Sequence, residues 1–178
     1  MIYGMEITFS QTDIPFYEQI AFEFFQNDIL TKNPIDKKMS VYNELKPIIN
    51  LDMLTLSLSH YNGLFNNPFW YPKCNKFFND AFKLVSKEKN WNNIKNNLSG
   101  KKILDFSKLN KIDFKIKKYG KGKYPRLYID QSVSVIVSEI ELTIVNVNLI
   151  ERYSGIIYHI QIDKNGKVTY WCQTGYIE

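Results

Sequence analysis

Four residues of this chain have the widest chemical reach: Cys74, Cys172, His60 and His159. A thiolate beside an imidazole is a nucleophile with its base, and the thiolate needs a partly exposed, electropositive place. Cys172 and His159 pair across a hairpin only if that hairpin closes on a two-residue Asn165-Gly166 turn. Cys74 and His60 meet only through a long-range contact that spacing does not establish. Cys74 falls on the apolar stripe of a predicted helix and Cys172 on the apolar face of a predicted strand. Both therefore read as buried, reduced thiols, with a single bridge formed if the fold brings them together.

The other constellations are weaker. Ser57, Ser59 and His60 lie close in sequence, but no Gly-flanked strand-to-helix turn exposes a hydroxyl nucleophile. Glu139 and Glu141 project to one side of a strand, where paired carboxylates share a proton or bind a metal; without a third ligand they read as a solvated face. Asp163-Lys164-Asn165-Gly166 lacks the later ligands of a calcium loop and reads as a turn. Gly120-Lys121-Gly122-Lys123 joins two strands and opens no helix, so it is no phosphate loop. With two His and two Cys and no close ligand spacing, a structural zinc site is not expected. No metal or cofactor is implied.

Two segments carry binding potential. Residues 101–130 hold nine Lys and one Arg against three Asp, a net charge of +7, while residues 1–100 are balanced and residues 131–178 are net −2. Lys115, Lys117, Lys118, Lys121, Lys123 and Arg126 crowd one predicted hairpin beside Tyr119 and Tyr124. Such a segment suits an acidic protein partner. A single Arg serves bidentate phosphate or base recognition poorly, so nucleic acid is not expected. Lys on an outer strand also guards against edge-to-edge aggregation. The second segment, Tyr61–Tyr71, sets Tyr61, Phe65, Phe69, Trp70 and Tyr71 among Asn, Gly and Pro. It either tucks rings into the core or lines a pocket together with His60, His159 and Trp171.

These residues must be held by a chain of 178 residues, 44% hydrophobic and 15% aromatic. Such a chain buries roughly 70% of its unfolded surface and builds a core without disulfides or metals. One domain, 1–178, is expected, mainly helical to about 100 and β from about 101. Met1–Ser10 does not read as a secretory signal, and no apolar run approaches the ~20 residues of a membrane span, so a soluble cytoplasmic protein is expected. Oligomeric state is not legible.

Helical spacing at Ile14, Tyr17, Ile20, Ala21, Phe24 and Phe25 predicts a first helix, capped by Thr12 or Asp13 and ended by Asn33-Pro34. Ser40 with Glu44 opens a shorter one to Leu45. Leu54, Leu56 and Leu58 alternate but leave helix and strand open. Cys74, Phe77, Phe78, Ala81, Phe82 and Val85 form the clearest helical stripe, and a further turn or two runs from Trp91 to Leu98. Strand alternation begins at Ile112. A long strand then sets Leu127, Ile129, Val133, Val135 and Val137 on one face. In the next, the apolar phase flips between Ile144 and Val145, which predicts a β-bulge. The last hairpin closes best on a three-residue loop, Lys164-Asn165-Gly166, pairing Ile162 with Val168 and Ile160 with Tyr170, with His159 facing Trp171.

Helices first and strands second predict an α+β fold, with N-terminal helices packed on a C-terminal bent antiparallel β-meander. In element order alone this is similar to the cone-shaped folds of the nuclear-transport-factor-2 type and to cystatin-like folds, and no residue role follows from that. Two functions fit. One is a non-enzymatic binding or protein-interaction module, such as an immunity or accessory protein. The other is a small-molecule-binding or enzymatic domain with a pocket between sheet and helices.

Overall fold

The computed structural model describes residues 14–35, 38–47, 74, 94–107, 125–136, 139–151 and 154–177, and the backbone of 114–116. The predicted strand at 54–58, the aromatic stretch at 61–71 and the predicted helix after Cys74 lie outside the described residues.

The first helix forms on the predicted apolar spacing but begins later than a Thr12 or Asp13 cap would place it: its N-cap is Phe16, which makes no side-chain cap bond, and Ile14 stays exposed before it. α1 (Tyr17–Phe24) continues through a π-helical segment (Phe25–Ile29) and a final α turn (Leu30–Lys32). In the wide turn the Leu30 amide donates to the Phe25 carbonyl, one residue further back than in an α-helix. Tyr17, Ala21, Phe22, Phe25 and Ile29 are buried. Phe25 stacks on Tyr158 at 4.9 Å and Phe22 on Phe106 at 5.4 Å. Gln19 clamps residues 101–107 to the helix, donating to the Asp105 carbonyl at 3.0 Å and accepting from its amide at 2.8 Å.

Eight described strands make one sheet: β1 (Met39–Val41), β2 (Ile94–Asn96), β3 (Phe114–Ile116), β4 (Arg126–Ile129), β5 (Val133–Ile136), β6 (Ile140–Ile150), β7 (Ser154–Ile162) and β8 (Val168–Ile177). The fold is α+β, and β6, β7 and β8 form a C-terminal antiparallel meander. β4 and β5 lie end to end along one edge of β6. β2 pairs antiparallel with β5, whereas β1 runs parallel to β4 and β3 parallel to β1.

Three local expectations fail for one reason, that tertiary pairing outbids local propensity. Ser40–Leu45 is not helical. Met39–Val41 is a strand, because Ser40 and Tyr42 donate to the Pro125 and Leu127 carbonyls at 2.8 and 3.0 Å. Within the predicted Trp91–Leu98 turns, Ile94–Asn96 is a strand whose Ile94 lies opposite Val135. β3 and β4 are not the arms of one hairpin, since β1 stands between them and both run parallel to it.

The faces of the sheet also differ from expectation. Leu127, Ile129, Val145, Val147, Leu149, Tyr158, Ile160 and Ile162 form the core beneath the helix. Val133 and Val135 pair with Ile144 and Leu142 and so occupy the opposite face. The expected single strand through Leu127 and Val135 is broken at 130–132, and the break reverses its phase. No bulge interrupts β6 at Ile144–Val145, because Thr143–Ile150 pair with β7 without a shift. The apolar phase flips because both faces are buried here: Val133, Val135, Leu142 and Ile144 are buried on one face, Val145 and Val147 on the other.

Bulges occur elsewhere, between Val135 and Ile136 and between Gln161 and Ile162. The second lies beside the β7–β8 loop. That loop has the three-residue form: Asp163 donates to the Lys167 carbonyl at 2.9 Å, Gly166 adopts φ +82°, and Asp163 Oδ1 accepts from the Asn165 and Lys167 amides. Ile162 pairs with Val168 as expected. The extra residue Thr169 then slips the register, so Ile160 meets Trp171 and His159 meets Cys172.

Candidate functional site

On the sheet face away from the helix, a row of residues runs across three strands, β6 to β8, and on through an isolated bridge. Lys46 bridges to Asp130 just beyond β4, and Asp130 donates its amide to Asn146 on β6. Asn146 pairs with His159 on β7, and His159 with Cys172 on β8. Paired residues in a sheet share a face, so five side chains distant in sequence form one row.

The bonds along this row are specific. His159 Nδ1 lies 2.9 Å from Asn146 Oδ1, and Nε2 lies 2.9 Å from Thr174 Oγ1. The Asn146 oxygen can only accept, so Nδ1 carries the proton and Nε2 accepts from the Thr174 hydroxyl. Asn148 Nδ2 donates to Asp130 Oδ2 at 3.0 Å. Lys46 Nζ sits 4.6 Å above the Tyr128 ring and 3.4 Å from its hydroxyl.

Electrostatics follow from burial. His159 is sealed from water, which pushes its imidazole down to about 3. Burial raises the Asp130 carboxyl, against the pull of Asn148, Lys46 and Asn146. A second buried carboxyl, Glu18, lies on the helix side. Its Oε1 accepts from the Ser132 amide at 2.7 Å and its Oε2 has no partner. Burial raises its pKa too, opposed by the Ser132 amide and hydroxyl.

The row ends in a covalent bond. Cys172 is joined to Cys74 with Cα atoms 5.4 Å apart, closing a separation of 98 residues. Both are buried as expected. They are not reduced thiols, because the bulge at Thr169 turns Cys172 onto the sheet face where Cys74 meets it. His159 and Cys172 thus become the neighbours that a two-residue turn would have made, yet neither is poised for catalysis. The sulfur is oxidised, and both imidazole nitrogens are engaged in a dry site.

Of the residues read as a pocket, His159 and Trp171 are set apart: His159 faces away from the helix, while Trp171 packs on the helix side with Tyr158 at 6.4 Å. His60, Tyr61, Phe65, Trp70 and Tyr71 lie outside the described residues. Of the basic segment, Lys117, Lys118, Lys121 and Lys123 do as well. Lys115 and Arg126 are placed by register on either side of Ser40, in the row Lys115–Ser40–Arg126–Ile150. Glu139 is exposed and ion-paired with Lys164. Among the described residues no group of three or more acidic, His or Cys side chains could hold a metal, and no helix is long and apolar enough to cross a membrane.

Sequence reading missed Ser40, Asp130, Asn146, Asn148 and Glu18 as site residues. Asn146 and Asn148 were visible as polar alternates of β6. Their roles were not, because Asp130 and His159 reach them through pairing alone. Compared with known proteins, the chain matches no family model, no curated protein and no solved structure.

Proposed function

We propose that this chain is a non-enzymatic binding module that receives an acidic protein partner on its basic segment, as an immunity or accessory protein would. The observation that carries the reading is the Lys115–Ser40–Arg126 row, which sets two separated parts of that segment on one sheet face. The paired strands β1, β3 and β4 supply the preformed backbone that such an interface requires. The state of His159 and Cys172 supports the same reading, because the one imidazole–sulfur pair among the described residues is consumed by structural bonds.

The disulfide bears on location. Glutathione and thioredoxin keep cytoplasmic thiols reduced, so the bond favours an oxidising compartment over the cytoplasm expected from sequence. Burial of both sulfurs is the condition under which it would persist in the cytoplasm.

Co-purification of the natural partner at low salt, with identification by mass spectrometry, tests the function. Reversing Lys117, Lys118 and Lys121 to Glu should abolish capture of an acidic protein that also dissociates as salt rises. Capture indifferent to salt and to the reversal, or a large thermal shift with a small metabolite, would refute the reading.

A further inference from the structure

The basic segment contains one residue built for geometric recognition, and its surroundings single it out. Arg126 is half-buried, and among the described residues no carboxylate or other acceptor bonds its guanidinium. Its register partner Ser40 is wholly buried, and the Ser40 Oγ has no hydrogen-bond partner. Lys115 occupies the other flank of Ser40, and Ile150 follows Arg126 in the same row, so the row contains no acid. Asp130 is engaged elsewhere, by Asn148 and Lys46. Arg126, which bonds no acceptor among the described residues, and its register partner Ser40, whose sealed hydroxyl has no hydrogen-bond partner, form an incomplete donor set. Buried donors of this kind in native proteins are normally completed by a partner.

We propose that Ser40 and Arg126 form the anchor site for a carboxylate of the partner, an Asp or Glu side chain held in the fork of the Arg126 guanidinium with the Ser40 hydroxyl as a further donor. The assignment rests on the acidic-partner reading above and names its point of contact. A guanidinium presents two parallel N–H groups matched to a carboxylate, which an ammonium does not. The Ser40 hydroxyl is closed over in the free protein. Within this proposal it is reached as the Arg126 side chain, which forms no ion pair with a described residue, moves to meet the incoming anion. The lysines of the basic segment raise the local anion concentration and the on-rate; Arg126 and Ser40 set the geometry.

The test uses the full chain and a synthetic glutamate-rich peptide at low salt. Arg126→Gln should weaken peptide binding roughly tenfold to a hundredfold, and Arg126→Lys should recover only a small part of that loss. Ser40→Ala should cost about threefold to tenfold. Lys123→Gln, which removes one charge of the basic segment and no guanidinium, should cost about twofold. In the unaltered protein the Arg126 Nε–H resonance should shift on adding the peptide, a readout free of any folding defect in the variants. Binding that persists with Arg126→Gln no weaker than Lys123→Gln, or an unmoved Nε–H signal, would overturn the anchor and leave the acidic-partner reading standing. No binding by the unaltered protein would overturn that reading itself. Inorganic phosphate binding more tightly than the peptide would overturn the carboxylate assignment.

Discussion

Lowering the pH from 7 to 5 should charge His159 in the unfolded chain and leave it neutral in the folded one. In the native sheet the imidazole is enclosed between Asn146 and Thr174, and burial holds its pKa near about 3 against 6.5 for the free side chain. The folded value is depressed, so the unfolded state binds more protons throughout the interval between the two. The contribution of the neutral imidazole to stability is complete above pH 6.5 and declines as the pH falls towards 3. Each pH unit in that interval is worth about 1.4 kcal/mol, so the loss at pH 5 is about 2 kcal/mol. Glu18 and Asp130 act with the opposite sign, since raised carboxyl values favour the protonated fold as the pH drops through them. A pH profile of the unaltered protein therefore sums several groups, and the difference from a non-titrating variant isolates this one. His159→Gln keeps an amide donor for Asn146 and an acceptor for Thr174. Urea unfolding at pH 7 and pH 5 should show the variant less stable at pH 7, yet losing about 2 kcal/mol less than the parent between the two. Parallel losses in the two proteins, or a His159 ring resonance titrating near 6.5, would refute the argument.

Glu18→Gln should raise the thermal midpoint at pH 8 and leave it unchanged at pH 4: the raised carboxyl value means stability is complete below 4.5 and lost as the acid ionises, while an amide oxygen still accepts from Ser132. The gain at pH 8 should be on the order of 1 kcal/mol, read by denaturation at the two pH values, and a loss at pH 8 would overturn it. Replacing both Cys74 and Cys172 by Ala should cost about 2–5 kcal/mol in guanidinium unfolding, since the bond closes a long loop in the unfolded chain. A midpoint equal to that of the oxidised parent would show that the bond contributes nothing.

Much of the fold was legible in local pattern. The first helix and its stop at Asn33-Pro34, the meander of β6, β7 and β8, and the Asp163–Lys167 loop with its left-handed Gly166 all follow from apolar period, helix-stop residues and turn chemistry, which act over a few residues. The basic segment and the burial of both cysteines were legible from composition and apolar phase. Read alone, the alternation of β6 pointed to a bulge, because a polar-to-apolar phase change has two causes: a bent strand or a second covered face. Only the pairing of β5 and β7 along β6, with Cys74 bound to the far face, separates them. The same limit hid the candidate sites. Ser40 joins Lys115 and Arg126 because β1 enters the sheet in parallel between β3 and β4, and His159 reaches Asn146 and Cys172 through register. Sequence by itself determined where the first helix and the C-terminal strands fall and which residues are apolar, because those depend on short-range chemistry. Tertiary structure decided which faces are buried and which polar groups meet, because contacts between residues far apart along the chain exist only once strands choose their neighbours.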